Sequence, residues 1–255
     1  MSNWQQPHGE VITAFLSELN QFSENFILKG GTALMACYGL DRFSEDIDLD
    51  GIGLGSNKSI KNIVDRFCKK HDYTYRVAKD TETVKRYMLD YGAQGKPLKI
   101  EISFRRRSIQ PQSYTKIEGV QVYTLDELCI MKAAAYSGRD KIRDLYDIAF
   151  ICNNHFDDLS SATISLLQNA LSHKGIEQFD YMIRTQVDEL INNDKLAIDF
   201  LETFDKLGIL FDEDERQIAD AIQQTEKPSI LKQLGDLKQQ TQPPAQNKQQ
   251  KSPER

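Results

Sequence analysis

Two aspartates near the start of the chain have the spacing of a metal-binding pair. Asp46 and Asp48 alternate with the apolar residues Ile47 and Leu49, so both carboxylates lie on one side of a predicted strand. Two like charges held together need a compensating cation, and oxygen ligands of this kind favour Mg²⁺, with Mn²⁺ as an alternative. An acidic, solvated strand edge is the competing interpretation.

A glycine pair precedes these aspartates. Gly30 and Gly31 follow an apolar run at residues 26–28 and precede Thr32 and a segment rich in Ala, Leu and Met. This order predicts a strand, a tight turn and a helix. At such a junction backbone N–H groups approach phosphate oxygens, and Thr32 can cap the helix or bond a phosphate. A lone Gly-Gly-Thr turn is more often structural.

A third carboxylate is expected from a neighbouring strand. Residues 98–104 alternate clearly, with apolar side chains at the even positions, so Lys99, Glu101 and Ser103 share the opposite face. Glu101 is the acidic residue of this strand and becomes the candidate third ligand. Two metals held by Asp46, Asp48 and Glu101 would clamp the attacking and leaving oxygens of a phosphoryl transfer. The alternative is an exposed strand glutamate.

A second block of charged residues follows at helical spacing. Steps of three or four residues predict one polar stripe on a helix, unless Gly138 interrupts it; the stripe comprises Lys132, Tyr136, Arg139, Arg143 and Asp147. Its cations would neutralise a triphosphate. Surface ion pairs, such as Arg143 with Asp147, are the competing interpretation. Lys132 lies inside an apolar run and needs a partner if it is buried.

Composition limits the class of protein. The chain has 255 residues, 40% of them hydrophobic, and a net charge of -6, which excludes wholesale disorder and a uniformly basic nucleic-acid coat. Four scattered cysteines and four dispersed histidines argue against a zinc ribbon, a disulfide framework and a histidine metal site. We find no membrane span or secretory signal in the sequence, so we expect a soluble cytoplasmic protein.

The order of predicted elements suggests two lobes and a tail. Helices at 11–22 and 60–70 alternate with strands at 26–28, 46–50, 73–77, 84–91, 98–104 and 120–123. After Thr124, whose sequence TLDE resembles a capping box, the pattern is helical for about 100 residues. The predicted division is therefore an α/β core at 1–124, a helical lobe at 125–225 and a flexible tail rich in Gln, Lys and Pro at 226–255.

Two sequence blocks resemble one known family. The segment KGGTALMACYGLDRFSEDIDLD and the later segment YTLDELCIMKAAAYSGRDKIRDLYDIAFIC are similar to the two signatures of the AbiEii/AbiGii-type nucleotidyltransferases, a branch of the DNA polymerase β superfamily. The resemblance covers roughly residues 25–152. It implies an α+β fold, in which a polymerase β-like core with a mixed sheet and flanking helices is followed by a helical lobe.

The resemblance also implies roles for individual residues. Gly30, Gly31 and Thr32 match the family's turn that holds a triphosphate, and residues 42–44, which end at Ser44, match its lead-in to the metal-binding aspartates. Lys132 matches the lysine of the family's first lobe helix. Arg143, Asp144 and Asp147 match its Arg-Asp-x-x-Asp element. Either aspartate of this element would act on the substrate or hold Arg143 or Lys132 in place, and the sequence does not separate these roles.

The implied activity is transfer of a nucleotide from an NTP to a hydroxyl group. Family members include toxins encoded beside an antitoxin, and some relatives add nucleotides to the 3′ end of tRNA, so we expect an NTP substrate, an RNA acceptor and a cognate antitoxin. Two alternatives stay open. One is a nucleotide-binding partner module without turnover, and the other is an enzyme that nucleotidylates a protein or a small molecule.

Overall fold

The protein folds as a mixed sheet followed by a group of helices, which confirms the predicted α+β class. The computed structural model describes residues 4–53, 55–92, 96–106, 108–209, 216–218 and 220. In chain order the elements are α1 (Gln5–Phe22), β1 (Phe26–Lys29), α2 (Gly30–Tyr38), β2 (Asp46–Gly51), α3 (Ser56–His71), β3 (Thr74–Asp80), β4 (Val84–Asp90), β5 (Leu98–Ser103), β6 (Tyr114–Ile117), β7 (Val120–Tyr123), α4 (Leu125–Gly138), α5 (Ile142–His155), α6 (Ser161–Thr185) and α7 (Asn193–Lys206).

The sheet places β2 at its centre. Its seven strands run in the order β3-β4-β5-β2-β1-β7-β6. Strand β2 is parallel to β5 and antiparallel to β1, while β1 is parallel to β7. In this register Asp48 lies opposite Glu101 on one side and opposite Lys29 on the other, and Asp46 lies opposite Lys99. The topology thus brings side chains from three strands to one place.

The two faces of the central strands differ in polarity, as the alternation predicts. Ile47, Leu49, Ile100 and Ile102 are each at most 1% exposed and join the hydrophobic core. Helices α1 and α3 contact each other there through Phe15 and Phe67, among other residues. Because side chains alternate along a strand, burial of one face leaves the acidic residues of β2 and β5 on the other.

The described residues after β7 are mostly helical, as predicted. The hydroxyl of Thr124 accepts a hydrogen bond from the backbone N–H of Glu127, so half of the expected capping box forms. The Glu127 carboxylate instead accepts from Ser113. Helix α4 ends at Gly138, and extended backbone at Arg139 separates it from α5. The predicted single stripe is therefore divided between two helices.

One strand of the sheet was not identified from the sequence. Strand β6 was not predicted, because its side chains are half-buried or exposed at the sheet edge and show no apolar alternation. The sequence feature that could have indicated β6 is the turn at Glu118 and Gly119, both with positive φ, which joins this strand to β7.

The predicted tail at 226–255 lies outside the described residues. The chain changes from strands to helices at Thr124, and one hydrophobic core includes residues from both sides, so the division into two units at this point stays a prediction.

Of the helices in the described part of the chain, none combines the length and apolar character needed to cross a membrane.

Candidate active site

The glycine turn brings its backbone directly against the acidic strand. Gly30 has φ +75°, which favours glycine, and helix α2 begins at this residue. A Cβ atom on Gly30 would lie 3.3 Å from Oδ2 of Asp48. A Cβ atom on Gly31 would lie 2.8 Å from Nη2 of Arg42 and 2.9 Å from Oγ of Ser44. Both glycines are needed because larger residues would displace these polar groups.

Thr32 and Ser44 lie beneath this turn. Thr32 is 1% exposed, and its hydroxyl donates to the backbone carbonyl of Asp46 and lies 2.9 Å from Oγ of Ser44. These contacts tie the first turn of α2 to the start of β2. In this arrangement the Thr32 side chain holds the turn together, so the backbone N–H groups of the first turn of α2 are the candidates for phosphate contacts. The predicted phosphate contacts of Thr32 and Ser44 stay predictions.

The predicted carboxylates share one surface, which we call the acidic face: Asp46, Asp48 and Glu101. Their side chains are 44%, 36% and 26% exposed. Burial raises the pKa of the Asp48 carboxyl above its ordinary value, and the charges of Asp46 and Glu101 add to this, while Lys99 opposes it. The acidic face therefore holds unfavourable negative charge within reach of solvent.

Cations from the same sheet pair with the acidic face. The Lys99 ammonium lies 2.7 Å from Oδ2 of Asp46 and 3.7 Å from Oδ1 of Asp48. Nη2 of Arg86, on β4, lies 2.5 Å from Oε2 of Glu101. Glu101 is thus a paired strand glutamate in this arrangement, turned towards its neighbour on β4.

The third aspartate of β2 has a separate role. Asp50 is 1% exposed and accepts hydrogen bonds from Lys29 at 2.5 Å and from the Tyr123 hydroxyl at 2.7 Å. It is buried, unlike Asp46 and Asp48 on the same strand. Its contacts hold the end of β1, immediately before Gly30, against β2 and β7.

The donor set of the acidic face fits a hard divalent cation. Two carboxylates lie on one strand, a third lies opposite in register, and a lysine ammonium already bridges the first two. In the described residues, however, no three Asp, Glu, His or Cys side chains converge as a metal group. The expected three-ligand arrangement requires the Glu101 side chain to turn from Arg86 towards Asp48.

A second charged group lies where the sheet meets the helices. We call it the junction cluster: Arg42, Lys132, Arg139, Asp144 and Asp147. Nε and Nη2 of Arg42 each donate to the Asp147 carboxylate at 2.7 Å, and Nζ of Lys132 lies 2.5 Å from the same group. Asp147 has no exposed surface, and Arg42 is 5% exposed. This pairing supplies the partner that Lys132 was expected to need.

Asp144 completes the junction cluster. Its carboxylate accepts from Nε of Arg139 at 2.7 Å and lies 3.3 Å from Nζ of Lys132. Burial alone would raise the pKa of Asp144, but the hydrogen bond from Arg139 and the charge of Lys132 outweigh it and hold that pKa below its ordinary value. Asp144 and Asp147 both hold Lys132, and neither pairs with Arg143.

Arg143 does not form the ion pair with Asp147 that the competing interpretation of the stripe included. Its guanidinium bonds Asp188 at 2.5 and 3.1 Å and Glu45 at 3.0 Å. Glu45 precedes Asp46 and also pairs with Lys96. Arg143 thus ties α5 to the loop that leads into the acidic strand, and its predicted contact with the triphosphate stays a prediction. Tyr136 also departs from the predicted polar stripe, because it is fully buried.

Sequence reasoning missed three residues that shape the site. Arg42 was noted only as part of a motif, yet it joins the glycine turn to Asp147. Lys99 and Glu45 were not considered as candidates. Their positions in the sequence could have indicated them. Glu45 and Lys99 lie one and two residues before the predicted ligands Asp46 and Glu101, and Arg42 is a cation within the acidic motif.

Comparison with known proteins identifies the family of the chain. The family model described as nucleotidyl transferase AbiEii toxin, Type IV TA system, matches residues 14–234. The chain therefore belongs to the AbiEii nucleotidyl transferase toxin family and is a nucleotidyltransferase, which confirms the family and the enzyme class inferred from the motifs. No curated protein matches the chain.

Two solved structures from Helicobacter pylori are similar to the chain. JHP933 is 25% identical with a TM-score of 0.66, and the match covers 95% of this chain and all of that one. A second H. pylori protein, described as a candidate nucleotidyltransferase, is 23% identical to this chain with a TM-score of 0.64. The match covers 87% of this chain and 97% of that one. Both share the fold over nearly their full lengths.

Proposed function

We propose that this chain is an Mg²⁺-dependent toxin enzyme that transfers a nucleoside monophosphate from an NTP to a hydroxyl group of RNA. The observation that carries the proposal is the register of β2 with its two neighbours, which places Asp48 opposite Glu101 on β5 and beside the glycine turn that follows β1. Asp46 and Asp48 would hold the metal, with Glu101 joining them, and Mn²⁺ would substitute for Mg²⁺. When bound, the metal neutralises charge that develops on the transferred phosphate.

The triphosphate would lie across the start of α2. Helix α2 begins at Gly30, and the unpaired backbone N–H groups of a helix N-terminus, together with the helix dipole, favour negative charge. Lys132 and Arg143 add positive charge from α4 and α5. Asp144 and Asp147 hold the Lys132 ammonium by ion pairs at 3.3 and 2.5 Å, so their role in this proposal is to position that lysine.

The reaction is a direct displacement at the α-phosphorus. The acceptor hydroxyl oxygen forms a bond to that phosphorus, the bond to the bridging oxygen of the β-phosphate breaks, and pyrophosphate leaves. One carboxylate of the acidic face accepts the hydroxyl proton. The half-exposed position of this face leaves room for both substrates to approach it.

We infer an RNA acceptor, with the 3′ end of tRNA as the first candidate, and a cognate antitoxin as partner in the cytoplasm. Support for the toxin system is the matched family description, which names a toxin of Type IV. A protein or small-molecule acceptor and a nucleotide-binding module without turnover are the outcomes that compete with this proposal.

The test supplies Mg²⁺ and each α-labelled NTP in turn, with total RNA and cell extract as sources of acceptor. Asp48→Ala removes a carboxylate of the acidic face, and Glu82→Gln, an exposed residue of the β3–β4 turn, is the matched control. We expect label on a tRNA-sized band with the wild type and the control, and a loss of roughly a hundredfold or more with Asp48→Ala.

Three other outcomes would each contradict part of this proposal. Label on a protein band or on a small molecule would reject RNA as acceptor and keep the enzyme. Binding of NTP with Mg²⁺ but no transfer from any NTP would favour the binding module. Equal transfer by Asp48→Ala and the wild type would remove Asp48 from the site.

A further inference from the structure

Lys99 occupies a special position on the acidic face. Three cations project from the central strands of this face: Lys29 on β1, Lys99 on β5 and Arg86 on β4. Among the described cations, only the Lys99 ammonium lies within 4 Å of both Asp46 and Asp48, at 2.7 and 3.7 Å. It thus stands where the proposed metal would bind.

The two neighbouring cations are engaged by other carboxylates. Lys29 lies opposite Asp48 in the sheet, but its ammonium bonds the buried Asp50 at 2.5 Å. Arg86 bonds Glu101 through Nη2 at 2.5 Å. Asp50 therefore keeps Lys29 away from the Asp46–Asp48 pair, and the backbone register leaves this pair to Lys99.

The Lys99 ammonium lies 2.7 Å from Oδ2 of Asp46 and 3.7 Å from Oδ1 of Asp48, so a divalent cation bound between these carboxylates would lie close to it. Metal binding without nucleotide therefore brings two like charges to close range, which weakens binding of the metal and of the ammonium alike. A triphosphate changes this balance, because its oxygens offer further ligands to the metal and a new partner to the displaced ammonium. Lys99, half-exposed on the same face, has the room to turn towards it.

We propose that Lys99 is the resident counter-cation of Asp46 and Asp48, and that a divalent metal replaces it only together with the nucleotide. The inference rests on the proposed function in one respect, namely that these two aspartates bind the metal. Lys99 thereby offsets part of the negative charge of the acidic face before substrate binds and couples metal entry to NTP binding.

The test measures binding of Mn²⁺ to the full chain without nucleotide, by electron paramagnetic resonance of the free ion. Lys99→Gln removes the charge, Lys99→Arg retains it, and Lys99→Met is a second neutral variant. Lys116→Gln is the matched control, because Lys116 pairs with Glu24 at 3.3 Å on edge strand β6, three strands from β2. Thermal melting checks that each variant is folded.

We expect Lys99→Gln and Lys99→Met to bind Mn²⁺ at least about tenfold more tightly than the wild type, since a nearby like charge is removed. Lys99→Arg and Lys116→Gln should bind as weakly as the wild type. Adding a nonhydrolysable NTP should tighten Mn²⁺ binding more in the wild type than in Lys99→Gln. Asp48→Asn in the Lys99→Gln background should abolish the gain.

Two results would overturn the inference, and they differ in what else they reject. If both neutral variants bind Mn²⁺ no more tightly than the wild type while Asp48→Asn weakens binding with NTP, Lys99 does not compete, and the metal site stands. If Asp48→Asn has no effect on Mn²⁺ binding under any condition, the acidic face is not the metal site, and the proposed function fails with the inference.

Discussion

The acidic face and the junction cluster contain similar side chains in opposite environments. On the acidic face the carboxylates of Asp46 and Asp48 are 44% and 36% exposed. In the junction cluster those of Asp144 and Asp147 are 2% and 0% exposed. Both groups are paired with cations, so the difference lies in burial rather than in partners.

Burial determines what each group can do. An exposed ion pair contributes little to stability and exchanges partners readily, which suits a surface that must receive metal and substrate. A buried ion pair is costly to break, because the remaining charge has no solvent to stabilise it. We therefore interpret the junction cluster as the support that positions Lys132 and the glycine turn, and the acidic face as the place of chemistry.

The largest expected effect comes from Asp147→Asn. This change leaves the buried cations Arg42 and Lys132 without the carboxylate they share, and we expect it to lower the free energy of unfolding by about 3–5 kcal/mol. Arg42→Met should be less damaging, because Asp147 keeps its 2.5 Å pair with Lys132. Urea unfolding measures both changes.

The control for this prediction is Asp157→Asn. Asp157 is exposed in the 3₁₀ turn Phe156–Asp158, so its substitution should change stability by no more than about 0.5 kcal/mol. If Asp147→Asn were as mild as this control, the two regions would not differ in the way we describe.

The next largest effect concerns stability at acidic pH. The pKa of Asp144 is held below its ordinary value of 3.8, so its contribution to stability is present above that value and is lost as pH falls through the folded-state pKa. Asp144→Asn should lower stability at neutral pH by about 1–3 kcal/mol. It should also make the loss of stability below about pH 4 less steep. Urea midpoints between about pH 7 and about pH 3 measure both effects.

An unchanged slope below about pH 4 in Asp144→Asn would mean that other carboxylates control acid unfolding. Glu45 and Asp188 are two such carboxylates, because Arg143 bonds both and their pKa values are also held below the ordinary range.

The acidic face was predictable from sequence because it depends on local alternation. Residues 46–50 and 98–104 alternate with period two, which fixes the shared direction of Asp46 and Asp48 and the face of Glu101. Glycines before a helix similarly predict the turn. Local patterns specify faces of strands and starts of helices, and these define most of the sheet.

The junction cluster was only partly predictable. Helical spacing placed Lys132 and Asp147 at opposite ends of one predicted stripe, and it could not select Arg42, which is 105 residues from Asp147 along the chain. The partners of Arg143, Glu45 and Asp188, lie 98 and 45 residues away. Such pairs depend on how helices pack on the sheet, and single-sequence periodicity carries no information about that packing.

The smallest expected effect has the opposite sign to the first two. The pKa of Asp48 is raised above 3.8 by burial, so its ionised form is less favourable in the folded chain than in the unfolded one. From this group alone, stability decreases as pH rises from 3.8 through the folded-state pKa. Asp48→Asn should therefore raise the free energy of unfolding at neutral pH, by less than about 1 kcal/mol because the group is partly exposed.

Urea unfolding of Asp48→Asn at neutral pH, beside Asp147→Asn, makes the comparison direct. A neutral amide at position 48 relieves repulsion from Asp46 and Glu101 but gives up the attraction of Lys99 at 3.7 Å. A loss of stability instead of a gain would mean that Lys99 stabilises Asp48 more than burial and repulsion destabilise it. The acidic face would then resemble the junction cluster, and burial alone would not explain why one region is suited to chemistry and the other to support.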